Sequence, residues 1–211
     1  MKILMSAYAC EYNVGSEPEI GLRWAIEISK LGNQVTVLTR LNNKKNLNSF
    51  LGENKSLKKN LKIKYFDYPS FILLLKRKKF LPIYLYYFLW QIGAFFKARE
   101  LNRYEKFDLV HHLTFGTLRH FSFMWLLNIP FIIGPISGGD TSTFKLRWAT
   151  GFRGGIIDCI RDFANKLLFF DVLLFLSFSK AKEIVVTSKE TLRYIPKVFK
   201  IKTKISPQIG L

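Results

Sequence analysis

The N-terminal segment carries the pattern that most constrains the fold. An apolar run, KILMSAYA at 2–9, is followed by a segment at 16–31 whose apolar residues recur at helical spacing. A second apolar run, QVTVLTR at 34–40, comes next, and Gly32 before it is a residue type at which helices end. A strand, a helix and a strand in this order form a βαβ unit, which predicts a parallel sheet.

The start of this helix is predicted from its polar residues. Ser16 and Glu19 match the S-x-x-E capping box, and Pro18 lies in the first turn. The box predicts that Ser16 is the N-cap. Apolar residues then recur at helical spacing, namely Ile20, Trp24, Ile28 and Leu31.

The same alternation continues along the chain. Further strands are predicted at 61–68, 107–115, 130–140 and 183–188. The segments 70–106 and 156–180 have helical character, whereas 42–60 is rich in Lys and Asn and is predicted to be a loop. Strands that alternate with helices predict a doubly wound α/β domain. Its sheet is expected to be Rossmann-like and mostly parallel, with about six or seven strands and helices on both faces.

The chain is strongly basic, which restricts its partners. It has 33 Lys and Arg against 15 Asp and Glu, a net charge of +18. Such an excess favours an anionic partner: nucleic acid, an acidic membrane surface or a phosphorylated ligand. Biased genome composition is an alternative source of the lysines, but it leaves the scarcity of acidic residues unexplained. No nucleic-acid recognition motif is present and the aromatic residues lie in apolar runs, so nucleic acid is not expected.

The cysteines and the N-terminus indicate the compartment. Cys10 and Cys159 form neither a zinc-binding spacing nor a disulfide framework, so a reducing compartment is expected. The first apolar run is short and is interrupted by Glu11, which argues against a signal peptide. We therefore expect a cytoplasmic protein.

Three loops follow predicted strands at the edge of the sheet where doubly wound folds bind ligands. The first, at 10–17, offers backbone amides and a helix N-terminus to an anion such as a diphosphate. It lacks the G-x-G-x-x-G and P-loop patterns, so an ordinary strand-to-helix turn is the alternative. The third, at 134–140, has two adjacent glycines that permit close approach of a ligand. Its Asp140 is expected either to cap the next helix or to bind a sugar hydroxyl.

The second loop, at 111–120, contains all three histidines of the chain. His111 and His112 are neighbours on a predicted strand, so they point to opposite faces and only one is expected to reach the cleft. No carboxylate stands at a spacing that would complete a metal site with them. A histidine at a strand end has either a structural role in packing or a functional role in the cleft, and the sequence leaves both open.

These loops resemble segments of a known family. The stretch SAYACEYNVGSEPEIGLRWAIEISKLGNQVTVLTR is similar to the opening of GT-B fold glycosyltransferases of the large retaining family 4. DLVHHLTFGTLRH and PFIIGPISGGD are similar to later segments of the family's first domain, and KISPQIGL resembles its end. The motifs occur in order across the whole chain. The resemblance implies that residues 1–211 are the single N-terminal, acceptor-side domain of such an enzyme.

The resemblance also implies roles for individual residues. Gly15 and Ser16 would lie in the glycine loop near the donor diphosphate, and His112 and Thr114 would be catalytic residues near the donor sugar. The donor is expected to be a nucleotide sugar bound as substrate, with no cofactor and no metal. The residues expected to line the cleft and contact the acceptor are Glu17, His111, His120, Gly138, Gly139 and Asp140.

The sequence departs from the family pattern at several positions. Tyr12 and Asn13 stand where proline and often glycine occur, and Glu19 replaces a usual glycine. Leu113 stands where a second histidine is common, so the choice of His112 is a choice between neighbours. These changes alter the cleft wall that the resemblance implies.

The family's second domain binds most of the nucleotide sugar and carries an E-x(7)-E motif, and no segment of the 211 residues resembles that domain. The predicted function is transfer of a sugar to a saccharide or lipid-linked saccharide acceptor in cell-surface polysaccharide synthesis. This chain would be the acceptor-side half, inactive alone. The alternative is a non-catalytic fragment or binding subunit that partners a separately encoded donor-binding half.

The segment 76–100, KRKKFLPIYLYYFLWQIGAFFKARE, is basic at its start and then apolar on all sides. Its apolar run is at the short end of the roughly 17–25 residues that cross a bilayer, and a span would break the sheet topology. It is predicted to be an interfacial helix on anionic lipid heads, with a buried core helix as the alternative. A peripheral position on the inner face of the membrane is therefore expected.

Overall fold

The computed structural model describes residues 1–78, 80, 82–140 and 151–206. They form one parallel sheet in the order β3-β2-β1-β4-β5-β6-β7. Its strands are β1 Lys2–Ala7, β2 Gln34–Thr39, β3 Leu61–Tyr65, β4 Leu109–Thr114, β5 Phe131–Ile136, β6 Glu183–Val186 and β7 Thr203–Ile205. The predicted fold class is confirmed: a Rossmann-like α/β domain with a seven-stranded sheet.

The helices of the described residues alternate with the strands. They are α1 Ser16–Lys30, α2 Lys44–Glu53, α3 Ser70–Arg77, α4 Ile83–Glu105, α5 Phe152–Lys166, α6 Val172–Lys180 and α7 Lys189–Tyr194. Short 3₁₀ turns lie at Leu41–Asn43, Lys55–Lys59, Phe123–Leu127, Leu167–Phe170 and Lys197–Lys202. The prediction of a loop at 42–60 is wrong, because Leu47, Phe50 and Leu51 share one buried face and fold this segment into α2.

The cap of α1 differs from the predicted one. Gly15 is the N-cap, with a φ of 70° that favours glycine, and Ser16 is already helical. Glu19 completes half of the predicted box, because its Oε2 accepts the Gly15 backbone N–H at 3.0 Å. Arg23 holds the same carboxylate at 2.7 Å. The assignment of Ser16 as N-cap is therefore wrong by one residue.

Two hydrophobic layers cover the two faces of the sheet. Successive residues of β1 alternate between them, with Leu4 in one layer and Ile3 and Met5 in the other. One layer packs under α1 and α2, and the other under α4 and α6. Burial on both faces explains why β1 and β5 consist mostly of apolar residues.

The long helix α4 is a core helix. Its buried side chains follow one face, namely Tyr86, Tyr87, Trp90, Gln91, Ala94, Ala98 and Leu101. The preferred interpretation of 76–100 as an interfacial helix is therefore wrong for most of α4, since packing on the sheet buries this face. Its beginning is open, because Ile83, Tyr84 and Leu85 are exposed, and Phe96 and Tyr104 are exposed further along the helix. Among the described residues, no helix is both long enough and apolar enough to cross a membrane.

Candidate functional site

The three predicted ligand loops meet at the carboxyl edge of the sheet, around Gly116. The Gly116 backbone N–H donates to Glu17 Oε1 in α1 at 3.1 Å. The Gly116 carbonyl accepts the backbone N–H of Ser137 at 2.7 Å. A Cβ on Gly116 would lie 2.2 Å from the Pro135 carbonyl oxygen, so only glycine permits this crossing. The three loops form one continuous wall.

A cavity of about 390 Å³ opens beside this wall. Its volume falls in the range of small-molecule sites. Two predicted cleft residues, His120 and Gly138, line it. The full lining is Tyr84, Thr117, Leu118, Arg119, His120 and Gly138.

His120 is fixed against the cavity by its neighbours. Its Nδ1 pairs with Thr117 Oγ1, and its ring stacks on Tyr84 with 5.5 Å between centroids. Burial, with a smaller effect of the Arg119 charge, lowers the pKa of His120 to about 4. The imidazole is therefore neutral near pH 7 and can form a hydrogen bond with a sugar hydroxyl.

His111 and His112 lie on opposite faces of β4, and both are buried. His111 Nε2 lies 2.6 Å from the Gly134 carbonyl oxygen, and its ring packs edge-on against Trp24 of α1. His112 Nε2 lies 3.1 Å from the hydroxyl of Tyr87 in α4. Burial lowers the pKa of His111 to about 4 and that of His112 to about 3. The helices cover both imidazoles, and their assignments as cleft and catalytic residues stay predictions.

Tyr87 connects His112 to the cavity wall, although the sequence gives no sign of this role. Its hydroxyl accepts the Phe115 backbone N–H at 3.3 Å, so its own proton points to His112 Nε2. This network assigns the proton of neutral His112 to Nδ1, which has no partner among the described residues. The Tyr87 ring also meets the His120 ring edge-on at 5.0 Å.

Thr114 ties the end of β4 to the end of β1. Its Oγ1 accepts the Ala9 backbone N–H at 3.0 Å and donates to the Ala9 carbonyl at 3.0 Å. The side chain is fully buried. The backbone therefore uses the one O–H donor and one acceptor lone pair of the hydroxyl, while the predicted catalytic role of Thr114 stays a prediction.

Two carboxylates occupy backbone amides of the predicted diphosphate loop and its neighbour. Glu19 takes the Gly15 N–H, and Glu17 takes the Gly116 N–H. Burial raises the pKa of Glu17, and the Gly116 N–H partly offsets this. The hydrogen bond from Arg23 contributes most to lowering the pKa of Glu19. The start of α1 therefore already carries negative charge where an anion was expected.

Three consecutive residues of the third loop, Gly138, Gly139 and Asp140, have different surroundings. Gly138 has a φ of 95° and open space around it at the cavity. Gly139 is required by packing, because a Cβ there would lie 2.4 Å from Thr191 Cα in α7. Asp140 accepts from the Ser188 hydroxyl at 2.9 Å, and Ser188 is the N-cap of α7. The alternative cap of a helix after Asp140 falls on 141–150, outside the described residues.

Among the described residues, no group of three or more His, Cys, Asp or Glu side chains is arranged to hold a metal ion. The cavity wall offers instead neutral hydrogen-bonding groups and one guanidinium, that of Arg119. Such a lining suits a hydroxyl-rich or anionic ligand.

Comparisons with known proteins identify the fold. No model of a known family matches the sequence, and no curated protein is similar to it. The structure of UGT73P12 from Glycyrrhiza uralensis, complexed with glycyrrhetinic acid 3-O-monoglucuronide, is similar with a TM-score of 0.53 and 14% identity. The similarity covers 98% of this chain and 49% of that one. The chain therefore has the Rossmann-like α/β fold of part of that protein.

A second similar structure is that of CalG4, the calicheamicin glycosyltransferase. Its TM-score is 0.45 at 13% identity, over 99% of this chain and 53% of CalG4. The chain thus spans about half the length of both solved structures.

Proposed function

We propose that the chain is the acceptor-side half of a GT-B glycosyltransferase of the retaining family 4 type. It would take part in the transfer of a sugar from a nucleotide sugar to a saccharide or lipid-linked saccharide acceptor in cell-surface polysaccharide synthesis. One observation carries the proposal: the loops with family-like motifs converge around Gly116 beside a cavity of about 390 Å³. The half-length match to UGT73P12 supports the assignment as one half of a two-domain protein.

In this proposal, the cavity residues orient the acceptor. Neutral His120, fixed by Thr117, forms a hydrogen bond with an acceptor hydroxyl, and Arg119 offers a charge to an anionic group. In front-face transfer, the departing diphosphate takes the acceptor proton, so His120 is not required as a base. The second half would supply most of the nucleotide-sugar contacts, which is why we expect residues 1–211 alone not to turn over.

The test follows amide signals of the labelled 211-residue protein during titration with a panel of nucleotide sugars and saccharides. Shifts are expected at Gly116, His120 and Gly138, and they should weaken in Arg119→Gln. The matched control is Arg103→Gln, which removes an exposed arginine at the far end of α4. Responses confined to other regions, or no response to any ligand, would refute the site. Sugar transfer by this chain alone would refute its role as an incomplete half.

A non-catalytic binding subunit is the second candidate function. It is favoured by Glu19, which occupies the Gly15 amide that the diphosphate was expected to use. Such a subunit would bind an acceptor and require a separately encoded donor-binding chain. Binding of saccharides without any response to nucleotide sugars, also after a donor-binding half is added, would favour this alternative.

An anionic membrane surface is the partner that we propose for this domain, at the inner face of the membrane. The apolar side chains on either side of the cavity support it. The exposed large apolar residues of α5 are Phe152, Ile156, Ile157, Ile160 and Phe163. The end of this helix reaches the cavity, since Asn165 donates to the Gly138 carbonyl at 3.0 Å. Tyr84, exposed at the start of α4, lines the cavity as well.

Vesicle flotation tests this partner. We expect recovery with anionic vesicles to exceed that with neutral ones and to fall with added salt, because the chain carries a net charge of +18. Ile157→Asp should reduce recovery. The control is Leu31→Asp, an exposed position just after α1 at the opposite edge of the sheet. Equal recovery with both vesicle types, or equal loss in both variants, would contradict the proposal.

A further inference from the structure

A second cavity, of about 410 Å³, lies where β2 and β3 end. It is lined by Arg40, Leu41, Asn42, Asp67, Leu73 and Lys76. Arg40 directly follows β2, and Asp67 follows β3 by two residues. Lys76 comes from α3. The fold thus brings two cations from distant parts of the sequence to one cavity wall.

Aromatic residues hold both cations in place. The Arg40 guanidinium carbon lies 4.2 Å from the centre of the Tyr8 ring, and its Nε donates to the Tyr8 carbonyl at 3.1 Å. Lys76 Nζ donates to the Tyr8 hydroxyl at 3.1 Å and lies 4.1 Å from the centre of the Tyr86 ring. Side chains fixed in this way lose little freedom when a ligand binds, which favours affinity.

The neighbouring carboxylates leave the two cations only partly neutralised. Asp67 accepts the Tyr86 hydroxyl with one oxygen and the Leu41 backbone N–H, at 3.2 Å, with the other. Glu11 lies 3.9 Å from Arg40, at the limit of an ion pair. Burial and the Arg40 charge lower the pKa of Lys76 to about 8, and Asp67 opposes this only partly. An anion in the cavity would relieve the repulsion between Arg40 and Lys76.

We propose that this cavity binds a phosphate group, with Arg40 and Lys76 as its ligands. A guanidinium and an ammonium from two elements suit a dianion with three terminal oxygens, and arginine matches phosphate geometry. The volume exceeds that of phosphate alone, so the group belongs to a larger molecule such as a phosphorylated saccharide or a lipid head group. That this molecule is an acceptor rests on the proposed glycosyltransferase function; phosphate binding does not.

Titration with inorganic phosphate and glycerol phosphate at constant ionic strength tests the proposal. Both Arg40→Gln and Lys76→Gln should weaken binding by roughly tenfold or more, the scale of a charge-assisted hydrogen bond. The control Lys78→Gln removes an exposed lysine two residues away and should leave binding unchanged. Equal weakening in the Lys76 and Lys78 variants, or no phosphate binding by the unchanged protein, would overturn the proposal.

A second measurement uses the unchanged protein, so it does not depend on variants that fold. At pH 8, about half of Lys76 is neutral and reactive, against under about 1% of an ordinary lysine. Pulse acylation followed by mass spectrometry should label Lys76 ahead of Lys78, and phosphate should protect Lys76 selectively. Equal labelling of Lys76 with and without saturating phosphate would overturn the site.

Vesicles identify the source of the phosphate. The protein is tested for binding to phosphatidylcholine vesicles that contain phosphatidic acid. If Lys76→Gln abolishes this binding and Lys78→Gln does not, the phosphate group belongs to a lipid head group. Binding of glycerol phosphate without such recruitment assigns a soluble ligand. Both results support the phosphate site. If phosphate did not protect Lys76 and Lys76→Gln did not weaken phosphate binding, this inference alone would be overturned. The proposed function would stand as long as the amide signals of Gly116 and Gly138 still responded to nucleotide sugars or saccharides.

Discussion

Replacing Thr114 by valine distinguishes a structural role from a catalytic one. Valine keeps the shape of the side chain and replaces only the hydroxyl with a methyl group. The Thr114 hydroxyl makes two hydrogen bonds of 3.0 Å, one from the Ala9 N–H and one to the Ala9 carbonyl. Both partners belong to a buried backbone segment, so Thr114→Val leaves a donor and an acceptor without their partner.

The size of the effect follows from this geometry. An unsatisfied buried polar group costs about 1–3 kcal/mol, so two of them cost roughly 2–6 kcal/mol. For a chain of this size, each kcal/mol lowers Tm by about 2–4 °C, so we expect Thr114→Val to lower Tm by roughly 4–24 °C. Thr114→Ser keeps the hydroxyl and loses one methyl group, about 1 kcal/mol, and should recover most of the loss.

Thr187→Val is the matched control. The Thr187 hydroxyl donates to the Ile136 carbonyl at 3.2 Å, but the Thr187 backbone N–H serves the same carbonyl at 2.9 Å. Removing this hydroxyl leaves no group unsatisfied, so the loss should stay under about 1 kcal/mol. Thermal unfolding followed by circular dichroism measures all three variants. If Thr114→Val melted within about 1 °C of the unchanged protein while losing ligand responses, the structural reasoning would be refuted and the catalytic assignment favoured.

Further predictions concern packing, anion access and acid stability. Gly21→Ala would place a Cβ 2.4 Å from the Ala9 carbonyl oxygen and should cost roughly 1–3 kcal/mol in chemical unfolding. The open Gly52→Ala in α2 should instead gain about 0.5–1 kcal/mol. Glu19→Ala should strengthen pyrophosphate binding in calorimetry by freeing the Gly15 N–H, whereas Glu27→Ala, which removes a surface carboxylate, should not. The free energy of unfolding should fall as the pH drops from about 6.5 to about 4. The histidines bind protons in the unfolded chain in this range, whereas burial keeps His111, His112 and His120 neutral in the folded protein. His111→Gln should make this fall shallower in urea unfolding at stepped pH, and an unchanged slope would contradict the argument.

The sheet was predictable because most of its strands are buried on both faces. β1 and β2 are buried at every position but the first, and the short apolar runs in their sequences indicate this. The edge strand β7 was not predicted, because Thr203–Ile205 is largely exposed and alternates with lysine. Helix α2 was missed although Leu47, Phe50 and Leu51 have helical spacing. The surrounding Lys and Asn residues are typical of a loop and led to the wrong prediction.

The place of the site was predictable, but its individual side chains were not. Parallel strands end at one edge, so loops after β1, β4 and β5 had to meet there. Which histidine faces the cavity depends on α4, whose Tyr87 covers His112 while leaving His120 beyond the strand at the cavity. The pairing of Arg40 with Lys76 depends on how α3 returns over the sheet, which no local pattern encodes.

The region of the first cavity and the second cavity differ in how they attract an anion. The start of α1 offers partial positive charge, yet Glu19 and Glu17 accept the Gly15 and Gly116 amides and so reduce its attraction for an anion. The second cavity has the opposite arrangement, because the nearby Asp67 is engaged by the protein and offsets the repulsion between Arg40 and Lys76 only in part. An anionic group that binds this domain should therefore prefer side-chain cations to helix amides. Replacing Glu19 frees the amides at the start of α1 for an anion and leaves the second cavity unchanged. The effect of Glu19→Ala on pyrophosphate binding and the effect of Lys76→Gln on phosphate binding should therefore be independent.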